Sequence, residues 1–395
     1  MDSKALPDFL KDRMQKHFYD RLAHQWSGQH LLKSRIPTTD DVSLCSNDYL
    51  GMSQEPSLIA QGDTASNRTV LMSSVFLDDT SLQSEVERQF SAFFNVPASI
   101  ICPSGWMANA GLMQSVADAH TPVYLDALAH MSLRDGARLA GAPCYTLAHN
   151  DTRNAARKIQ RHGPGVIVVD SVYSTNGSRC PLPDYVSLAH TNGCALVVDE
   201  SHAVGTHGPQ GRGLINALNL AAQVDFITVS LSKAFAGRAG LITCPTAFKD
   251  YFLLESHPSI FSTAIMDHDL NWFSRVIPVI SSADNKRERL HANATRIRTA
   301  LRGLGYRVSS GTEQIIAVEV GSEQNVQLLQ SRLQQRGVYG SVFCYPATGR
   351  NRALIRLTVH SQLSELDLAR VIEAFKAAGE ELRAMGVDGF FRPCA

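Results

Sequence analysis

Short apolar runs alternate with amphipathic stretches through the middle of the chain. The runs that predict strands are residues 99–102, 122–125, 142–147, 165–170, 194–199, 224–230 and 239–244. Helical periodicity appears between the early runs, at 106–117, 130–140 and 151–162. Fully apolar strands that alternate with helices are typical of a parallel sheet covered on both faces. The connection between the last two runs is too short for a crossover helix, so one of these strands is predicted to be antiparallel.

A different rhythm follows residue 266. A long helical stretch is predicted over 266–302, then a strand at 313–320, a helix at 323–336, strands at 338–343 and 354–359, and a helix at 365–385. Fewer strands between longer helices are typical of a small α+β domain. The predicted fold class is therefore α/β. We predict an N-terminal segment over 1–50 that packs on the small domain, a large domain over 51–284 and a small C-terminal domain over 285–395.

The composition narrows the class of protein and its partners. The 395 residues are 44% hydrophobic and 19% charged, which suits a large buried core and excludes a disordered chain. Lys plus Arg and Asp plus Glu both number 37, so attraction to nucleic acid or to an anionic membrane is not expected. No apolar run approaches the ~20 residues that cross a bilayer, and the first residues lack a secretion signal. The eight cysteines form no CxxC pair, so we expect a cytoplasmic protein with free thiols.

Polar residues follow the ends of four predicted strands. Asp170 ends one run, and Asp199 ends the next and is followed by His202. Lys233 comes shortly after the run at 224–230, and Gly105 comes shortly after the run at 99–102. Ligands of open α/β sheets bind at the carboxyl ends of the strands. These residues are therefore expected to face one crevice.

Three of these residues have an ordinary structural alternative. Lys233 could be a surface lysine in a loop, or a lysine desolvated enough to form a Schiff base with a carbonyl carbon. Asp199 could cap the next helix, or it could pair with a pyridinium nitrogen and keep that nitrogen protonated. His202 could be a core histidine with satisfied hydrogen bonds, or it could reach a phenolic oxygen on the same ring. The residues alone leave these alternatives open.

Weaker motifs concern anions and metals. Gly105 opens a predicted helix after a strand, and free amides at that turn could hold a phosphate. The segment 205–211 has GxxGxxG spacing, and Pro209 disrupts the helix that a dinucleotide loop requires, so no such loop is expected. His130, His202 and His207 lack a Cys or a second His at zinc-ligand spacing, so no metal site is predicted.

Several different short motifs follow one another between residues 47 and 361. They are Asn47-Asp48-Tyr49-Leu50-Gly51, Ser104-Gly105-Trp106 with Ala108-Asn109, Asp126 with His130, Ser171-Val172-Tyr173-Ser174, Asp199-Glu200-Ser201-His202-Ala203-Val204-Gly205, Ser232-Lys233-Ala234-Phe235, Phe261-Ser262-Thr263 and Ile355-Arg356. This ordered set resembles the α-oxoamine synthase family of pyridoxal 5'-phosphate (PLP) enzymes. The resemblance implies the PLP-dependent transferase fold type I, similar to aspartate aminotransferase, with PLP as cofactor in the large domain.

The resemblance implies roles for the residues around the cofactor ring. Lys233 is expected to hold PLP covalently, and Asp199 is expected to pair with the pyridine nitrogen. His202 is expected to contact the phenolic oxygen, and His130 to stack on the face of the ring. These four are the expected catalytic residues. Ser174 matches a serine that contacts the cofactor in the family.

The resemblance also implies how the phosphate is held. The backbone amides of Gly105 and Trp106 and the hydroxyl of Ser230 are expected to bind it. Ser262 and Thr263 are expected to reach the phosphate of the neighbouring subunit. The resemblance therefore implies a homodimer with shared active sites.

The substrate side departs from the more familiar members of the family. Arg356 matches the arginine that binds the amino-acid carboxylate, a bidentate task suited to a guanidinium. The departures are Leu71-Met72-Ser73-Ser74-Val75-Phe76-Leu77, Gln83 with Val86 and Glu87, Thr175-Asn176-Gly177 and Gly237-Arg238-Ala239-Gly240. They resemble the quorum-sensing autoinducer synthase branch of the family, as do the stretches at 161–165 and 339–348.

That branch implies a decarboxylative condensation of an L-amino acid with a medium-chain fatty acyl-CoA to give an α-amino ketone. The amino acid would be small and apolar, such as 2-aminobutyrate, or S-adenosylmethionine. An α-oxoamine synthase of primary metabolism with a glycine or alanine donor, or an aminotransferase, remains an alternative. A nucleotide-dependent oxidoreductase is disfavoured because no GxGxxG turn follows a strand. Retention of Lys233, Asp199 and His202 argues against an inactive binding protein.

Overall fold

The computed structural model describes residues 6–33, 36–59, 72–311, 313–387 and 389–391, so Leu71 of the departures named above lies outside the described residues. The β-strands are β1 (Val42–Leu44), β2 (Ala98–Cys102), β3 (Val123–Asp126), β4 (Cys144–Leu147), β5 (Val166–Asp170), β6 (Ala195–Asp199), β7 (Phe226–Ser230), β8 (Gly240–Cys244), β9 (Ile315–Gly321), β10 (Val338–Phe343) and β11 (Ala353–Thr358). The α-helices are α1 (Asp8–Met14), α2 (Pro56–Ile59), α3 (Leu82–Phe94), α4 (Gly105–Val116), α5 (Met131–Leu139), α6 (Thr152–His162), α7 (Leu182–Asn192), α8 (Leu214–Ala217), α9 (Thr246–Glu255), α10 (His257–Phe261), α11 (Asp267–Ser281), α12 (Asp284–Gly303), α13 (Glu323–Gln334) and α14 (Glu365–Ala384). Two π-helical turns, Gln15–Tyr19 and Arg21–Gln25, follow α1, and 3-10 turns occupy Met52–Gln54, Ser74–Phe76, Pro209–Gly211 and Ala221–Gln223. Among the described residues, no helix is long and apolar enough to cross a membrane.

The larger sheet has the strand order β2-β8-β7-β6-β5-β3-β4. The strands from β4 to β7 are parallel to their neighbours, whereas β8 is antiparallel to both β7 and β2. The predicted large, mostly parallel sheet is therefore confirmed, and β8 is the antiparallel strand. The register aligns Asp170 with Asp199, and Asp199 with Thr228. This alignment brings the polar ends of three strands to one edge of the sheet.

Both faces of this sheet are covered, because successive apolar residues of its strands enter two separate cores. Val166 and Val168 belong to the core that also contains Leu112 of α4 and Leu133 of α5. Ile167 and Val169 belong to the core that contains Ile159 of α6 and Tyr185 of α7. This alternation explains why the strand runs are apolar throughout rather than at every second position.

The smaller sheet has the strand order β1-β10-β11-β9. Its N-terminal strand β1 runs parallel to β10 and aligns Val42 with Val338, while β11 is antiparallel to both β10 and β9. The helices α13 and α14 contact each other and β10. Residues 42–44 thus join a sheet whose other strands lie beyond residue 314, and the domain boundaries at 50 and 284 stay predictions.

The long helical stretch expected over 266–302 is divided into α11 and α12. Serine hydroxyls compete with backbone amides for the last carbonyls of α11, because Ser281 Oγ donates to the Ile277 carbonyl at 2.9 Å and Ser282 Oγ donates to the Pro278 carbonyl at 3.1 Å. Arg287 Nη1 of the next helix donates to the Ile280 carbonyl at 2.7 Å. Helical periodicity alone could not reveal this interruption, because it depends on side chains that bind the backbone.

A buried ion pair joins α3 to the large sheet. The Glu87 side chain accepts the backbone amide of Ile101 on β2 at 2.9 Å and the Nζ of Lys249 on α9 at 2.6 Å. Burial raises the pKa of Glu87, and Lys249 and the Ile101 amide act against that rise. The carboxylate therefore depends on Lys249 for its charge balance.

We expect Lys249→Met to lower the free energy of unfolding by about 3 kcal/mol, because it leaves a buried carboxylate without its cation. Urea denaturation followed by circular dichroism measures this loss. Lys376→Met is the matched control, since Lys376 faces Glu373 at 3.9 Å on an exposed surface of α14. That control should change stability by less than about 1 kcal/mol. Equal losses in the two variants would contradict the prediction.

Candidate active site

A cavity of about 230 Å³ opens at the carboxyl ends of β5, β6 and β7. Its lining residues are Gly105, Trp106, Asn109, His130, Asp170, Asp199, Ser201, His202, Ser230, Ser232 and Lys233. The structure therefore brings seven of the predicted site residues together: Gly105, Trp106, His130, Asp199, His202, Ser230 and Lys233. Sequence reasoning had not given a site role to Asn109, Ser201 or Ser232.

Asp199 is held at the base of the cavity by two donors. Asn109 Nδ2 on α4 donates to Asp199 Oδ2 at 2.9 Å, and the Ser201 amide donates to Asp199 Oδ1 at 2.8 Å. Asn109 Nδ2 also donates to Ser132 Oγ at 2.9 Å, which fixes the orientation of the amide. Residues 201–206 form turns and no α-helix begins there, so the alternative that Asp199 caps the next helix is not what is observed.

A second carboxyl group lies beside Asp199. Asp170 is 2% exposed, and burial together with the neighbouring Asp199 raises its pKa well above the usual range. Its Oδ1 accepts the backbone amide of His130 at 3.2 Å. Asp170 is therefore expected to remain neutral while Asp199 carries the negative charge.

Lys233 lies in the loop after β7 and is partly buried. Burial lowers the pKa of Lys233 to about 8, although Asp199 and Asp170 act to raise it. Among the described residues, no hydrogen bond or ion pair reaches its Nζ. The amine is thus exposed to the cavity and partly unprotonated near neutral pH, unlike an ordinary surface lysine.

Two histidines border the cavity and both are biased toward the neutral form. Burial lowers the pKa of His130, whose Nδ1 pairs with Ser132 Oγ at 2.7 Å. Burial also lowers the pKa of His202 well below its usual value, and Lys233, Arg356 and His130 add to this effect. His202 Nδ1 lies 2.5 Å from the hydroxyl oxygen of Tyr49.

The start of α4 forms a cradle beside β7. Ser104 Oγ accepts the Met107 amide at 3.2 Å. The amides of Gly105 and Trp106 lie in the first turn of α4, where backbone amides have no intrahelical acceptor. A Cβ at Gly105 would lie 2.6 Å from Ser230 Cβ, so only glycine permits this approach. Free amides at a helix N-terminus beside the Ser230 hydroxyl can bind an anion.

The remaining predicted residues do not line this cavity. Arg356 on β11 is buried, and its Nη1 donates to the Ser174 carbonyl at 2.9 Å, while its Nη2 donates to Asn47 Oδ1 at 3.3 Å. Its Nε has no partner among the described residues. Ser262 Oγ donates to the Pro258 carbonyl, and Thr263 is exposed. The roles of Ser174, Arg356, Ser262 and Thr263 stay predictions.

The three histidines considered as zinc ligands do not form a group. His207 instead lies beside His291 and Glu313, with the possible ligand atoms within 4.8 Å of one another. Glu313 is already engaged, because His207 Nε2 bonds to it and Arg179 Nε lies 3.2 Å from its Oε1.

Comparisons with known proteins give consistent results. Residues 39–375 match the family Aminotransferase class I and II. The chain is 40% identical over 379 residues to CAI-1 autoinducer synthase of Vibrio campbellii, which covers 95% of this chain and 96% of that protein. It is 29% identical over 385 residues to 8-amino-7-oxononanoate synthase of Exiguobacterium sibiricum, which covers 94% and 97%. A solved structure of serine palmitoyltransferase (SPT) with PLP has a TM-score of 0.87 at 25% identity, and the match covers 96% of this chain and 99% of that one.

The lowered pKa of Lys233 predicts an unusual pH dependence of its reaction with aldehydes. After treatment with hydroxylamine to release any bound carbonyl compound, we expect reductive labelling of Lys233 to reach half its maximal rate near pH 8. An ordinary lysine reaches that point near pH ~10.4, because only the unprotonated amine attacks a carbonyl. Peptide mapping by mass spectrometry measures both, with exposed Lys376 as the internal reference. Identical pH profiles for the two lysines would refute the prediction.

Proposed function

The chain belongs to the class I and II aminotransferase family and, within it, to the α-oxoamine synthases, which are PLP-dependent acyltransferases, and we propose that it makes a quorum-sensing autoinducer. The observation that carries this proposal is the 40% identity to CAI-1 autoinducer synthase over 95% of the chain. The shorter departures Thr175-Asn176-Gly177 and Gly237-Arg238-Ala239-Gly240 favour the same branch.

The residues of the cavity fit PLP. The amides of Gly105 and Trp106 with the hydroxyl of Ser230 offer donors to a phosphate, where a side chain at Gly105 would fill the space. At the other end, the Asp199 carboxylate can accept a hydrogen bond from a protonated pyridine nitrogen. When bound, PLP supplies an electron sink that stabilises negative charge on the α-carbon of an amino acid.

We assign proton transfer at the amino-acid α-carbon to Lys233. With PLP bound, Lys233 would hold the cofactor through its Nζ and, as a free amine, would accept the α-proton of the amino acid. A pKa of about 8 suits both roles, because the amine can lose and regain a proton near neutral pH. We further assign to Asp199 the role of favouring the protonated pyridine nitrogen, and to His130 that of covering the ring face.

We assign substrate binding to Arg356. It is 7% exposed, its Nε has no partner among the described residues, and its guanidinium lies over the Phe343 ring at 4.5 Å. A buried guanidinium with an unused donor can bind the carboxylate of an L-amino acid. That carboxylate is the group that later leaves as carbon dioxide.

The proposed reaction joins a small apolar L-amino acid such as 2-aminobutyrate, or S-adenosylmethionine, to a medium-chain fatty acyl-CoA. A bond forms between the α-carbon and the acyl carbonyl carbon, the thioester bond breaks, and CoA leaves as its thiol. Loss of carbon dioxide then gives an α-amino ketone. We further propose a cytoplasmic homodimer in which Ser262 and Thr263 contact the phosphate of the PLP held by the partner subunit.

An assay with mixed substrates tests this function. Purified protein with PLP should convert 2-aminobutyrate or S-adenosylmethionine and decanoyl-CoA to an α-amino ketone, measured by mass spectrometry together with thiol release. The long chain should be preferred to acetyl-CoA, because each buried methylene contributes about 0.8 kcal/mol. Lys233→Ala is the control and should give no product. A preference for acetyl-CoA with glycine would return the chain to the metabolic branch, and pyridoxamine formation without acyl-CoA would indicate an aminotransferase.

A second prediction concerns the charge of Asp199. We expect Asp199→Asn to keep its fold and lose on the order of a hundredfold or more in turnover, because an amide cannot hold the pyridine nitrogen protonated. Asp170→Asn is the matched comparison. Burial keeps Asp170 neutral, so the amide changes no charge there and a much smaller loss is expected. Steady-state product formation measures both, and equal turnover of Asp199→Asn and wild type would exclude the assigned role.

A further inference from the structure

Two buried side chains, Tyr49 and Gln314, each hydrogen-bond His202. Tyr49 and Gln314 are both 0% exposed, and His202 is 5% exposed. Tyr49 precedes the large domain, whereas Gln314 comes directly before β9 of the small sheet. In the sequence, Tyr49 lies 153 residues before His202, and Gln314 lies 112 residues after it.

The orientation of the Gln314 amide is fixed by its neighbours. Gln314 Nε2 donates to the His202 backbone carbonyl at 2.7 Å. A carbonyl oxygen can only accept, so the nitrogen and not the oxygen of this amide must face it. Gln314 also acts against the rise in the pKa of the Tyr49 phenol, as a nearby amide donor does.

The proton of the Tyr49 hydroxyl then has one acceptor. Burial raises the pKa of the Tyr49 phenol, so it keeps its proton. Among the described residues, the one hydrogen-bond partner of its hydroxyl is His202 Nδ1, at 2.5 Å. His202 is neutral because its pKa lies well below the usual value. A neutral imidazole that accepts at Nδ1 carries its proton at Nε2.

We propose that Tyr49 is a positioning residue that holds His202 in the Nε2–H tautomer and presents that donor to the cavity. Among the described residues, no hydrogen bond reaches His202 Nε2, and the imidazole lines the cavity. The ligand group that this donor recognises is an oxyanion, such as the phenolate oxygen of PLP. The inference rests on the PLP binding proposed above.

The visible absorbance of bound PLP tests the tautomer. The Nε2–H donor stabilises the phenolate, so in Tyr49→Phe the pH midpoint of the absorbance change should rise by about one unit and PLP should bind roughly tenfold more weakly. If His202 instead carried its proton at Nδ1, removal of the Tyr49 oxygen would free Nε2 to become the donor. The midpoint would then fall, and that sign would overturn the proposal. The other charged or titratable groups that face His202 are Lys233, Arg356 and His130, and all three are retained in the variant.

Two further measurements separate positioning from packing. Tyr306→Phe is the matched control, because Tyr306 is also buried and its hydroxyl donates to the Phe375 carbonyl at 2.7 Å in the small domain. It should alter neither the midpoint nor PLP affinity. Tyr49→Phe/His202→Ala should bind PLP no more weakly than His202→Ala alone, because Tyr49 acts only through His202. Additive losses would show that Tyr49 acts by another route.

Gln314→Met provides a second variant if Tyr49→Phe fails to fold. Loss of the amide removes the bond to the His202 carbonyl and the influence on the Tyr49 phenol, so both partners of the Tyr49–His202 bond are held less firmly. The midpoint should shift upward by a smaller amount, and no shift would contradict the proposed positioning of His202. Absence of any PLP absorbance in the wild-type protein would instead defeat the proposed function. The two failures are therefore distinguishable from the spectra.

Discussion

The balance of charge at adjacent strand ends sets the conditions for the rest of the cavity. Sheet register places Asp170 directly beside Asp199, and both are almost fully buried. Two neighbouring carboxylates in a poorly solvated site cannot both ionise without a large energetic cost. Asp170 resolves this by remaining protonated, whereas Asp199 receives donors from Asn109 and Ser201. A single negative charge thus faces Lys233, whose own pKa is lowered by burial to about 8.

The small sheet takes part in this balance. Arg356 on β11 lowers the pKa of both Lys233 and His202 by its positive charge. Gln314, directly before β9, bonds the backbone of His202. The cavity is therefore not a property of the large sheet alone.

The features that could be predicted from the sequence are those that depend on local patterns of residues. Apolar runs predict the strands, and the rule that parallel strands end at one edge of the sheet predicts that Asp170, Asp199 and Lys233 lie together. Contacts between distant segments left no comparable pattern. Tyr49 belonged to a recognised motif, but its bond to His202 spans 153 residues. Asn109 belonged to a recognised motif and lies one helical turn after Gly105 on α4, a spacing that indicates that it faces the cavity. The break between α11 and α12 depends on serine and arginine side chains that bind backbone carbonyls, so hydrophobic periodicity could not show it.

The helix α4 connects the two ends of the cavity. Its first residue, Gly105, forms the anion cradle with Ser230, and its fifth residue, Asn109, holds Asp199. Four residues of helix span about 6 Å, so helix geometry sets the separation along α4 between Gly105 at the cradle and Asn109 at the carboxylate. A Cβ at Gly240 would lie 2.3 Å from the Ser104 carbonyl oxygen, which shows how tightly the start of α4 rests on β8. We infer that a ligand with an anion at one end and a protonated ring nitrogen at the other satisfies both sites only if its length matches this spacing. The position of α4 against β8, rather than the strength of any single contact, then determines which ligand fits.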